Sequence, residues 1–152
     1  MISARLAILS IVALGTAGSL AAQTLDFEFY RAKVEPIFLK KREWHARCAV
    51  CHEASNSALR LEKRPPAGSG YTEEASRKNY EFVKNLVKPG NPDASRLLLH
   101  PLAHDAGGDT FHNGGPQFAS KNDPDWQVMA EWVRGAKLSA SRLLCENSVY
   151  VR

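Results

Sequence analysis

The pentapeptide Cys48-Ala49-Val50-Cys51-His52 decides how the rest of the chain is read. Two cysteines three positions apart on one helical turn present both thiols to the same side, and an imidazole follows directly. A redox dithiol with this spacing belongs beside an alternating strand–helix–strand pattern, which the chain lacks. A zinc site would need two more ligands at suitable spacing, and the third cysteine, Cys145, is remote. Taken alone, the five residues stay compatible with a plain disulfide or a chance occurrence. Three cysteines in 152 residues are too few, and odd in number, for a disulfide-stapled scaffold. Cys145 is the leftover thiol, either a buried apolar residue or a partner for another chain.

Upstream of the pentapeptide, Arg5 is the single charge before Asp26. The apolar run Leu6 to Leu14 and the small residues of Ser19-Leu20-Ala21-Ala22-Gln23 follow it in the order of a secretory signal. The expected organisation is a signal peptide over 1–22 and one domain over 23–152, with 137–152 as its tail. An uncleaved anchor from Leu6 to Leu25 is the competing reading. Gly15, Thr16, Gly18, Ser19, Gln23 and Thr24 dilute it below the roughly 20 apolar residues of a span. Hydrophobic residues at 44%, aromatics at 9% and charged residues at 24% are ordinary for a globular domain. They exclude a disordered, collagen-like or multi-span chain. The net charge of +4 falls to +3 without Arg5, too small an excess to imply nucleic-acid binding, and no basic motif suggests it. In an exported protein, the Cys48–His52 motif is the attachment signature of haem c. The two thiols form thioethers with the vinyl groups, and His52 becomes the proximal iron ligand.

The remaining sequence reads as all-α, with three to five helices and long loops. Asp26 to Lys41 is the first helix, capped by Asp26, with Phe27, Tyr30 or Arg31, Val34 and Ile37-Phe38 on its apolar face. Pro36 is expected to kink or end it and leave Ile37 to Lys41 as a separate turn. Residues 53–70 are polar and hold Pro65-Pro66, so they read as a loop. Thr72-Glu73-Glu74 opens a second helix with Tyr80, Val83, Leu86 and Val87 at helical spacing, stopped by Pro89-Gly90. Asn91-Pro92-Asp93 begins a short third helix through Leu97-Leu98-Leu99 to Pro101. A glycine-bearing loop follows. The last helix starts at Asp123-Pro124-Asp125 and ends near Gly135 or Ala136, with Trp126, Met129, Ala130 and Val133 on one face. Phe29, Phe38, Tyr80, Trp126 and Trp132 supply the aromatic core, Trp132 as a wedge between the terminal helices. Tyr71 and Tyr80 are candidates to hydrogen-bond a haem propionate.

Three blocks carry a family resemblance. Val34-Glu35-Pro36-Ile37-Phe38 ahead of the motif resembles the opening of bacterial cytochrome c domains. Pro89-Gly90-Asn91-Pro92-Asp93-Ala94-Ser95-Arg96-Leu97-Leu98 and Trp132-Val133-Arg134-Gly135-Ala136 are similar to their middle and closing segments. In order across Val34 to Ala136, they look like planctomycete-type cytochrome c domains, which resemble class I cytochromes c. The resemblance implies a cytochrome c-like fold in which the first and last helices cross around one covalent haem with a partly exposed edge.

One segment departs from that pattern. Such domains usually present a Met-Pro-Pro segment before the last helix, whereas here Gly107 to Gly115 contains no methionine. Met129, the one methionine beyond the signal segment, lies on the packing face of the last helix. His112 is therefore the favoured sixth ligand, within the replacing loop and flanked by glycines that permit close approach. His100, His104 and Met129 are the alternatives, as is an open site. His45 is read as a surface residue or one that supports a ligand.

These observations predict a periplasmic or otherwise exported electron carrier, or an electron-transfer subunit, rather than an enzyme. A haem-based gas sensor or small peroxidase with an exchangeable sixth position is the alternative, as is a structural haem subunit of a larger redox complex. The expected partners are redox proteins, steered by a basic rim over Lys40, Lys41, Arg42 and Arg47. Membrane contact is expected only if the signal segment is retained.

Overall fold

In the computed structural model, the residues described are 24–66 and 70–139. The segment 1–22, which the sequence reads as a signal, Cys145 and most of the tail lie outside them. Asp26 caps the first helix, its carboxylate accepting the Phe29 N–H at 2.6 Å. The helix then runs on without interruption through α1 (Phe27–Phe29), a π-helical turn (Tyr30–Val34) and α2 (Glu35–Leu39). Here the structure corrects the sequence expectation that Pro36 kinks or ends it. Proline lacks an N–H and its ring presses on the carbonyl four residues back. The π turn just before it widens the spiral, the Glu35 N–H reaching back to the Tyr30 carbonyl. Pro36 therefore falls in the first turn of α2, where a missing donor is tolerated.

The extra residue in that turn also draws Glu35 inward, above Tyr30. Glu35 is 5% exposed. Its carboxylate accepts from Ser76 Oγ at 2.6 Å, Asn79 Nδ2 at 3.3 Å and the Tyr30 hydroxyl at 3.4 Å. Burial pushes the Glu35 carboxyl up, while these three donors favour its charged form and pull the other way. Ser76 and Asn79 sit on the inner face of α4 (Glu73–Lys84) beside Val83, and Thr72 caps this helix through the Ala75 N–H. Asn79 also accepts the Glu62 N–H at 2.7 Å, tying the loop before α4 to the same cluster.

The predicted third helix is divided into a 3-10 turn (Pro92–Ala94) and α5 (Arg96–Leu99). Asn91 makes no side-chain cap; instead Ser95 Oγ accepts the Lys88 N–H and donates to the Asn91 carbonyl at the junction. After α3 (Cys48–His52), α4 and α5, the last element is α6 (Pro124–Val133). Asp123 caps it by accepting from the Asp125 and Trp126 N–H groups. Trp126, Met129, Ala130, Trp132 and Val133 are buried along it. The described residues are all-α, with isolated β-bridges in place of strands.

α6 packs across the π turn of the first helix. The Trp132 and Tyr30 rings lie 5.5 Å apart, and the Trp132 indole N–H donates to the Asp26 carbonyl at 2.9 Å. At the other end, Lys40 reaches Asp125 at 2.9 Å and Arg42 pairs with both Asp123 and Asp125. Burial pushes the Asp123 carboxyl up, but hydrogen bonds from Arg42 and the helix N–H groups outweigh it and hold the group below its ordinary value. Residues 101–118 form a loop closed on itself: Ala103 N–H donates to the Phe118 carbonyl, and Gln117 N–H to that of Pro101. Inside it, Gly108 lies so near Leu102 that a Cβ would stand 1.9 Å from the Leu102 carbonyl oxygen.

Two outcomes follow. Gly108→Ala is expected to destabilise the domain by about 1–3 kcal/mol in denaturant unfolding, the usual cost of overpacking; wild-type stability would show that the loop relaxes freely. Asp123, with its folded pKa depressed, stabilises the domain above the unfolded carboxylate value of about 3.9, and this contribution is lost as pH falls through the folded value. Stability measured from pH 7 down to 3 should therefore fall less steeply in Asp123→Asn than in the wild-type chain.

Candidate functional site

Ala49 is fully buried and anchors α3 against the core, which turns Val50 outward to 64% exposure. Cys48, Cys51 and His52 then border a cavity of about 330 Å³, within the range of about 300–1,000 Å³ typical of small-molecule sites. Ile37 and Phe38 from α2, Leu59, Leu86, Leu97, Phe118 and Met129 give it mainly apolar walls. Cys48 and Cys51 are both free thiols, with Cys48 half-buried and Cys51 exposed. Burial pushes the Cys48 thiol up, against the opposing pull of Arg42.

The His52 imidazole is held by the loop that follows it. His52 Nδ1 lies 2.8 Å from the Leu59 carbonyl oxygen. A carbonyl only accepts, so Nδ1 carries the hydrogen and Nε2 keeps its lone pair. The His52 carbonyl accepts from the Leu61 N–H at 2.9 Å, and Ala54, at φ 53°, turns the chain back to make that contact. Burial lowers the His52 pKa; the Leu59 bond opposes this, while His112 and, less strongly, His100 lower it further.

His100 and His112 line the same cavity. Their rings meet edge to face, with centroids 4.9 Å apart at 79°. His112 directs Nδ1 to the Gly115 carbonyl at 2.7 Å, and Gly115 adopts φ +70°, a conformation favouring glycine. His100 directs Nδ1 to Asp109 Oδ2 at 2.8 Å. In all three imidazoles Nδ1 is engaged and Nε2 left to coordinate, the pattern by which outer partners orient metal-binding histidines.

The other candidates separate clearly. Met129 is 2% exposed on α6, at once a packing residue and part of the cavity wall. His104 lies off the wall, its Nδ1 3.3 Å from the Gly108 carbonyl. His45 borders a neighbouring charged groove beside Pro116 and Gln117. Tyr71 donates to Glu53 at 3.0 Å and Tyr80 to the Leu25 carbonyl at 2.7 Å, so both hydroxyls are engaged away from the cavity. Within the basic cluster, Lys40 and Arg42 are paired with the acids that open α6, and Lys41 donates to the His45 carbonyl at 2.7 Å. Arg47 stands at the cavity border, joined by Arg96, which the sequence reading left among the helix residues. Among the described residues, no three His, Cys, Asp or Glu side chains gather to hold a bare metal ion.

Comparison with models of protein families, with curated proteins and with solved structures finds no match to this chain.

The unequal settings of the thiols give a direct test. In the chain with both thiols free, alkylation mapped by peptide mass spectrometry should modify Cys51 before Cys48, because Cys48 is both less exposed and pushed away from the reactive thiolate. Equal or inverted rates would show that the burial of Cys48 is not maintained in solution.

Proposed function

We propose that the chain is an exported monohaem c-type cytochrome, an electron carrier or electron-transfer subunit rather than an enzyme, with a cytochrome c-like arrangement of its helices. The observation that carries the reading is convergence: Cys48, Cys51 and His52 share one apolar cavity with His112 and His100. The donor set fits haem c. Two thiols on one helical turn suit two thioethers, the imidazoles suit iron, and the apolar walls suit a macrocycle. The scattering of the ligands over the wall, rather than around a point, suits a wide planar group better than a bare ion.

In this reading Cys48 and Cys51 would hold the group covalently, His52 would be an iron ligand, and Arg47 and Arg96 at the border would balance its carboxylates. His112 would be the second iron ligand. Its place on the cavity wall, in a loop closed at both ends by backbone hydrogen bonds, supports this role. His100, held by Asp109, supports the His112 ring at its edge. When bound, the haem supplies a one-electron ferric–ferrous couple. The protein would set its potential through the histidines that hold it and the mainly apolar walls, and two histidines favour a lower value than a histidine–methionine pair. Export would follow from the signal segment 1–22. Partner redox proteins would meet a rim to which Lys41 and Arg47 contribute more than the paired Lys40 and Arg42.

Expressed with a haem-attachment system, the full chain should retain haem through denaturing electrophoresis and acid-acetone extraction, and Cys48→Ala with Cys51→Ala should lose it. Absence of haem from the wild-type chain would end the proposal. The oxidised protein should be low-spin, and His112→Ala should shift it toward high spin and admit carbon monoxide. A low-spin spectrum unchanged in His112→Ala but converted in His100→Ala would give the role to His100. A sulfur-to-iron charge-transfer band in the wild type would give it to Met129, and ready carbon monoxide binding by the wild type would favour the sensor or peroxidase reading.

A further inference from the structure

The proximal histidine has a second polar neighbour besides the Leu59 carbonyl. Ser57 Oγ lies 2.9 Å from His52 Nδ1 and borders the cavity. The same hydroxyl donates to the Leu59 carbonyl at 2.6 Å, the shortest contact in the group. Ser55 Oγ stands behind it, 2.8 Å from Ser57 Oγ, and accepts the Ser57 N–H at 3.3 Å. The Leu59 oxygen therefore receives its two shorter hydrogen bonds from Ser57 and the imidazole, with Ser55 Oγ a more distant third donor at 3.4 Å.

We infer that Ser57 is a positioning residue that limits how strongly the Leu59 carbonyl polarises the Nδ1–H of His52, and thereby tunes the iron's reduction potential. The inference rests on His52 being the proximal haem ligand. Electron density on a carbonyl oxygen is shared among its donors, so a short bond from the Ser57 hydroxyl leaves the oxygen a weaker acceptor for the imidazole. A weaker bond at Nδ1 gives His52 less imidazolate character and makes it a weaker donor to iron. Hydrogen bonding behind the axial ligand is an established lever on haem potential, acting through ligand basicity. Ser57 Oγ also lies within reach of the same Nδ1–H, so without it that hydrogen is left wholly to the Leu59 carbonyl, which acts in the same direction. The serine pair further fixes the 55–59 loop, which holds the carbonyl within hydrogen-bond reach of the ring.

The test compares wild type, Ser57→Ala and Ser57→Thr in two states of the full chain. In the haem-loaded protein, spectroelectrochemistry should show a lower midpoint potential for Ser57→Ala and a wild-type value for Ser57→Thr, which keeps the hydroxyl. In the haem-free chain labelled with ¹⁵N-histidine, the His52 Nδ1–H proton should move to lower field in Ser57→Ala and stay in place in Ser57→Thr. An unmoved potential, an unmoved proton resonance, or a threonine variant that behaves like alanine would overturn the role of Ser57. Lack of covalent haem in the wild type would instead overturn the cytochrome reading, and the proton resonance would still decide whether Ser57 competes for the Leu59 carbonyl.

Discussion

The crossing of the first helix by the last is the contact on which the rest of the structure depends. The two meet from ends of the chain far apart in sequence, and their union is both apolar and directional. Trp132 fills the space beside Tyr30, and its indole N–H reaches the Asp26 carbonyl next to the capping carboxylate. Trp126, six residues earlier on α6, makes the equivalent link to α5 through the Leu98 carbonyl at 3.3 Å. A single helix thus fixes the first helix on one side and the middle of the chain on the other. The cavity lies where these attachments converge, with Phe38 from the first helix, Leu97 from α5 and Met129 from α6 all on its wall.

That arrangement gives the Arg42 guanidinium a role broader than charge. It pairs with the two carboxylates at the head of α6 and lies 4.6 Å over the Phe118 ring, which forms part of the cavity wall. Partly shielded ion pairs of this kind gain from fixed geometry more than free surface pairs do. The same cation links the end of the first helix, the start of the last, and the loop that carries His112. The buried Glu35 cluster does comparable work on the opposite flank, where α4 would otherwise contact the first helix through polar side chains with no partner. Satisfied by three donors, the carboxylate becomes a fixed joint between two helices rather than an isolated buried charge.

Much of this was legible in the sequence because it is local. Asp26, Thr72 and Asp123 announce their helices as caps, and the stripe through Trp126, Met129, Ala130 and Val133 gives the buried face of α6 directly. The Cys48–His52 motif marks the candidate site without help from the fold. The π turn escaped, because proline chemistry alone signals a break, and only the tertiary demand for Glu35 at the interface selects the widened spiral. A trace was present in α4, where Ser76 and Asn79 continue the inward stripe of Tyr80 and Val83 as polar residues and so imply a buried polar partner. The supports of the three imidazoles escaped for a different reason. Backbone carbonyls of Leu59 and Gly115 carry no side-chain identity, and the pairing of His100 with Asp109 depends on how a glycine-bearing loop closes.

The tryptophans give the molecule a consequence that can be followed with light. Trp126 and Trp132 are 2% and 0% exposed, whereas Trp44 stands 91% exposed at φ 62° on the turn between Arg42 and His45. An aqueous collisional quencher such as iodide therefore meets one indole freely and finds the other two shielded within the folded core. Its accessible fraction separates local motion of the 42–45 turn from opening of the helix crossing, so the chain contains its own spectroscopic ruler for distinguishing surface rearrangement from global unfolding.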